Sequence, residues 1–175
     1  LGMATCLMML EDDYANIDLQ VAFTVQEEIG LRGAGVAAYH FNPDIAIALD
    51  CTPANDMPMW DGEENTRYNT KAGEGPAIYI GDGRTLADPR LIAFTKAVAA
   101  EYKIKYQVRQ PGAGGTAAGA MHLKHGGIPA MSISAPGRYL HTSRTMVKET
   151  DWKNEVKLVS AMLHNITPKL LKNPR

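Results

Sequence analysis

The chain has 175 residues, 45% of them hydrophobic and 21% charged, with a formal net charge of -1 at pH 7; these figures suit one globular domain with a sizeable core. So small a net charge gives no electrostatic argument for nucleic acid or an anionic membrane, and no apolar run reaches the roughly 18 residues of a spanning helix. Cys6 and Cys51 are too few for a disulfide framework and lack zinc-knuckle spacing, so a reducing, cytoplasmic setting is expected.

Residues 1–12 carry an apolar helical pattern without an initiator Met or an N-cap residue, as if the start of a helix had been cut away. The expectation is a fragment of a longer chain. From Leu19 to Val25, apolar Leu19, Val21, Phe23 and Val25 alternate with Gln20, Ala22 and Thr24, which predicts a buried strand over 19–26. Glu27 and Glu28 follow, and Gly30 and Gly33 break the pattern. Adjacent acids on an extended chain point to opposite sides, so the two carboxylates are expected to face different partners. Gly33–His40 reads as a helix of small residues closed by Asn42-Pro43. Ile45–Leu49 is a continuous apolar run of the kind found in a strand covered on both faces, ending on Asp50.

Residues 52–75, rich in Pro, Gly, Asn and charge, read as a long loop or an excursion of short strands. Ala77–Ile80 is a short strand, and Pro89 opens a helix whose stripe contains Leu91, Ile92, Phe94, Val98 and Tyr102. Tyr106–Val108 is a strand. A Gly-rich turn, Pro111–Thr116, then leads into a small-residue helix through His122. Ile128–Ser134 is the next strand, followed by a loop from Pro136 to Ser143, and Thr150-Asp151 is expected to cap a final amphipathic helix. Strands alternating with helices predict an α/β fold: a three-layer sandwich with a mixed, mostly parallel sheet and helices on both faces.

Three strand ends carry candidate ligands: Glu27-Glu28, Asp50 and His141. Ligands usually bind at the carboxyl ends of strands in such folds, and carboxylates with an imidazole suit Zn²⁺ or a similar divalent ion. Each residue also has an ordinary reading, as a solvated strand end, a helix cap or a surface histidine. His40, His122, His125 and His164 are assigned no functional role.

Ordered segments through almost the whole chain resemble the M42 family of metallo-aminopeptidases. Thr24–Ala34 resembles the family's T-x-Q-E-E-x-G-x-R-G-A block, and Ala48-Leu49-Asp50 its next ligand strand. Gly73–Pro76 and Gly114–Thr116 resemble its Gly-rich turns, and Arg138–Thr142 its R-Y-x-H-[ST] loop. The resemblance implies a zinc-peptidase-like fold and a cytoplasmic hydrolase, a dodecamer in the family, that removes N-terminal residues from peptides with two divalent ions, Zn or Co. It implies Glu27 as general base, Glu28 and His141 on one ion, Asp50 on the other, and Gly114, Gly115 and Thr116 as donors to substrate.

Ala117 stands where the family has Asp after Gly-Gly-Thr, which removes a carboxylate from that turn. The family's D-[DN]-R segment, an earlier His ligand and its oligomerisation insert have no counterpart in the 175 residues. The expectation is a single catalytic-domain portion that by itself binds metal weakly and is inactive, since catalytic zinc sites normally have three protein ligands. The missing insert leaves the dodecamer in question. Two other readings stand beside the peptidase: an endoglucanase, a label often given to M42 members, and a non-catalytic assembly or binding module. Glycosidases work with two carboxylic acids flanking a sugar, so acids paired with His141 favour the peptidase.

Overall fold

The computed structural model describes residues 1–63, 70–112 and 114–172. In chain order its elements are α1 (Gly2–Met9), α2 (Arg32–Phe41), β1 (Ala46–Pro53), β2 (Ala77–Tyr79), α3 (Pro89–Glu101), β3 (Gln107–Arg109), α4 (Ala118–Met121), β4 (Ala130–Arg138), β5 (Met146–Val147), α5 (Glu149–Asn165) and α6 (Lys169–Lys172). The sheet runs β1-β4-β2-β3, with β5 paired to β4. It is mixed: β1 lies parallel to β4 over eight residue pairs and β2 parallel to β3 over three, while β2–β4 and β4–β5 are antiparallel over two each.

The apolar run of β1 serves two cores because successive side chains point to opposite faces. Ala46 and Ala48 join Ala38 of α2, Ala118 of α4, Ile128 and Ala130 on one face. Ile47 and Leu49 pack on the other, against a larger core of Ile78, Leu91, Met131, Ile133, Leu158 and Met162. Small residues let α2 and α4 sit close to the sheet, whereas α3 and α5 present the bulky stripes. The expected three-layer α/β sandwich is therefore what the chain builds. Helix α3 starts where the sequence places it: Asp88 accepts the Arg90 amide at 2.9 Å, and Pro89 occupies the first turn.

Several local expectations are corrected. The 19–26 strand does not form: no ladder pairs it among the described residues, and Phe23 and Val25 are 49% and 68% exposed. Alternation marks which side chains could be buried, but a strand also needs a neighbour for its amides. β1 continues past Asp50 to Pro53, so Asp50 sits within the strand. β4 runs on through Pro136 and Gly137, expected in a loop, because they pair with Thr52 and Pro53. Thr150-Asp151 does not cap α5, whose N-cap is Lys148. The Asp151 carboxylate instead accepts the amides of Gly73 (2.6 Å) and Gly75 (3.0 Å). That holds the Gly73–Pro76 turn, where a Cβ on Gly75 would strike the Lys105 carbonyl. Part of the 52–75 excursion, residues 64–69, and Ala113 of the Gly-rich turn lie outside the described residues.

Candidate active site

Glu27 and Glu28 are presented by a tight turn. Gln26 and Leu31 have left-handed backbones (φ 59° and 57°), and the Leu31 amide bonds to Glu27 O at 2.8 Å while that of Gly33 bonds to Val25 O at 3.0 Å. Gly33 is required there, since a Cβ would lie 2.5 Å from the Val25 oxygen. The second loop is bent the same way, with φ 61° at Tyr139 and 60° at His141. Its base is anchored by Arg138, which donates two hydrogen bonds to Asp56 at 2.8 and 2.9 Å. Left-handed non-glycine residues are costly and tend to cluster where surrounding structure holds a site in shape.

These turns bring His141 Nε2 within 3.2 Å of Glu28 Oε1, both side chains about three-quarters exposed. Asp50 comes from β1, its Oδ1 accepting the Cys51 amide at 2.7 Å. Burial raises the Glu27 carboxyl above its ordinary range, the negative charges of Asp50 and Glu28 push it further, and His141 opposes them. Burial likewise raises Asp50; the Cys51 amide opposes that rise and Glu28 adds to it. Glu27, Glu28, Asp50 and His141 thus sense one another electrostatically. A carboxyl raised by burial and by charged neighbours in a cleft is a candidate for proton transfer.

The donor set fits a divalent ion only in part. Glu28 and His141 make a carboxylate–imidazole pair, but among the described residues no three His, Cys, Asp or Glu side chains group closely enough to hold a metal.

The Gly-rich turn is tied elsewhere. Thr116 is buried with its hydroxyl 2.6 Å from Ser132 Oγ of β4, Gly114 O accepts the Gly83 amide at 2.9 Å, and Gly115 packs on Arg84. The other histidines serve the framework: His164 bonds Asp12 at 2.8 Å, His125 stacks on Tyr39, and His122 Nδ1 lies 3.0 Å from the Ala118 carbonyl.

Sequence reasoning missed Glu155. Fully buried on α5, it accepts the Thr5 hydroxyl at 3.0 Å, and Thr5 accepts the Trp152 indole N–H at 3.0 Å. Burial pushes its carboxyl up to about 7, Thr5 and the Leu1 amine opposing and Asp50 adding to the rise. Its position on the stripe Asp151, Glu155, Leu158, Met162 was the available signal.

The profile of the M42 glutamyl aminopeptidase family matches residues 1–158. The glutamyl aminopeptidase of Lactococcus lactis is 35% identical over 167 residues, covering 92% of this chain and 45% of that protein. An aminopeptidase from the archaeon Desulfurococcus kamchatkensis superposes with a TM-score of 0.91 at 34% identity, over 98% of this chain and 48% of its own. The TET1 peptidase of Pyrococcus horikoshii, which can assemble into a tetrahedron or a large octahedral shell, gives 0.71 at 28% identity, over 82% and 40%. The chain spans under half the length of these relatives. Among the described residues no helix is long and apolar enough to cross a membrane. By its matched profile and its fold, the chain belongs to the M42 glutamyl aminopeptidase family.

Proposed function

We propose that these residues form a catalytic-domain portion of an aminopeptidase that hydrolyses N-terminal residues from peptides. The observation that carries the reading is the 3.2 Å contact of His141 with Glu28, with Glu27 and Asp50 in electrostatic reach of both and raised by burial and by their acidic neighbours. Glu27 is the proton carrier: ionised, it takes the proton of an attacking water and returns it to the leaving amine. Glu28 and His141 would hold one divalent ion, Zn or Co, and Asp50 a second, the sites needing further ligands from outside these residues. A bound ion supplies an acidified water and polarises the scissile carbonyl. Gly114, Gly115 and Thr116 would position the substrate, the Thr116 side chain being held by Ser132 Oγ. A cytoplasmic homo-oligomer completes the reading, supported by two free cysteines and by the assembly of the related TET1 peptidase.

The test is hydrolysis of a panel of aminoacyl p-nitroanilides, with metal content by mass spectrometry, for the 175-residue chain and for a full-length M42 polypeptide carrying it. Activity and two bound ions in the longer protein, with activity lost in Glu27→Gln, are expected. No activity and no metal in either would favour the non-catalytic module.

A further inference from the structure

The seam between α2 and α4 seats two cations. Arg84 lies across glycines at one end: a Cβ on Gly119 would meet Arg84 Cβ at 2.7 Å and Leu31 Cδ1 at 3.3 Å, and one on Gly115 would meet Arg84 Cδ at 3.0 Å. One turn further along α2, a Cβ on Gly35 would lie 3.0 Å from Lys124 Cε, 3.3 Å from its Nζ and 3.7 Å from Cβ of Ala120 in α4. The absent side chains let both apolar stems lie on the seam, leaving Arg84 exposed and Lys124 half-buried. The loop carrying Arg84 is firmly built. Asp82 Oδ1 accepts the amides of Arg84 and Thr85, each at 2.8 Å, and the Gly83 amide bonds to Gly114 O at 2.9 Å.

Among the described residues no carboxylate forms an ion pair with Arg84 or Lys124. Helix α2 carries Arg32 and no acid, and the chain has no Asp or Glu from Tyr102 to Lys148. The seam starts beside the candidate site, because the amide of Leu31, which packs at the Gly119 end, bonds to Glu27 O at 2.8 Å. An acidic turn therefore adjoins a basic seam. That polarity complements a peptide whose α-amine is positive and whose following residues carry carboxylates. The spacing agrees: Leu31 and Gly35 are about 6 Å apart along the helix axis, and alternate side chains of an extended peptide share one side and repeat about every 6.8 Å.

We propose that Arg84 and Lys124 form a carboxylate track for the downstream part of a peptide, taking acidic side chains two positions apart. The direction of the peptide rests on the peptidase reading, which places its amino terminus at Glu27, Glu28 and Asp50; the test of the track reads binding without turnover.

A full-length M42 polypeptide carrying these residues and Glu27→Gln is titrated, by fluorescence anisotropy, into two peptides with free amino termini and a fluorophore on the C-terminal amide: Leu-Ala-Glu-Ala-Glu and Leu-Ala-Gln-Ala-Gln. Two exposed ion pairs should make the acidic peptide bind roughly fivefold tighter, with the ratio shrinking as salt screens them. Adding Arg84→Gln and Lys124→Gln together should bring the ratio below about twofold. Lys103→Gln with Lys157→Gln, which removes the same charge elsewhere, should keep it. With Glu27 intact, the Arg84→Gln/Lys124→Gln pair should leave hydrolysis of leucine p-nitroanilide unchanged, since that substrate has no downstream residue. A protein that hydrolyses no p-nitroanilide yet keeps the binding ratio would sink the peptidase reading and support the track. Equal binding of the two peptides, a ratio that survives loss of Arg84 and Lys124, or an equal fall in the Lys103/Lys157 control would overturn the proposal.

Discussion

Replacing Glu155 by Gln isolates the pH dependence of one buried acid. In the folded chain Glu155 is fully buried beneath α1, its Oε2 accepting the Thr5 hydroxyl. The fold therefore holds its proton more tightly than the unfolded chain does, moving the carboxyl from 4.5 to about 7. A raised acid contributes stability that is complete below about pH 4.5 and lost as pH rises through 7. The loss amounts to about 3 kcal/mol, or about 6–12 °C in melting temperature for a chain of this size. Gln stays neutral throughout and can still accept the Thr5 hydroxyl. Thermal unfolding from pH 5 to pH 8.5 should show the wild-type chain losing that much more stability than Glu155→Gln over the same range. Glu27 titrates in both proteins and cancels in the difference, whereas Asp50, whose charge raises Glu155, is part of the effect measured. Parallel curves would show that Glu155 ionises freely in the folded state and that the buried-acid reasoning is wrong.

Other perturbations follow from single contacts. Thr5→Val removes the links to both Glu155 and Trp152 and should cost about 1–3 kcal/mol in urea unfolding. Asp151→Ala leaves the Gly73 and Gly75 amides without their carboxylate, costing about 2–4 kcal/mol, with faster amide exchange at those two positions as the specific readout. A Cβ at Gly2 would collide with the Leu49 carbonyl; Gly2→Ala should push α1 off β1 and destabilise by about 1–3 kcal/mol. A Gly2→Ala chain as stable as wild type would contradict the packing described for α1.

Most of the architecture was legible because it depends on local pattern. The continuous apolar run at Ile45–Leu49 announced a strand with a core on each face, and Pro89 marked the start of α3 to the residue. The failures all involve partners distant in sequence. Residues 19–25 have strand alternation, but alternation carries no information about whether a neighbouring edge is present. Asp151 has the composition of a helix cap, and its carboxylate is drawn instead to amides 76 and 78 residues away. Pro136 suggests a loop, whereas pairing with Thr52 keeps it in β4.

At the candidate site, the acids and His141 stood out as residues following apolar strands, and the family resemblance grouped them. The structure brings Glu28 to His141 and Glu27 within electrostatic reach of Asp50. Glu155 was hidden among Lys153, Asn154 and Lys157, where a lone acid looks like part of a solvated face. Only its register with Leu158 and Met162 points inward.

The central claim is that Glu27 carries the proton in peptide-bond hydrolysis. Its most direct test is the pH–rate profile of aminoacyl p-nitroanilide hydrolysis by a full-length M42 polypeptide carrying these residues, compared with Glu27→Gln. The account predicts activity that rises with pH as a carboxyl held above its ordinary range ionises, and a loss of at least 100-fold in kcat in the variant with metal content unchanged. A Glu27→Gln protein that keeps wild-type kcat and the same acid limb would contradict it.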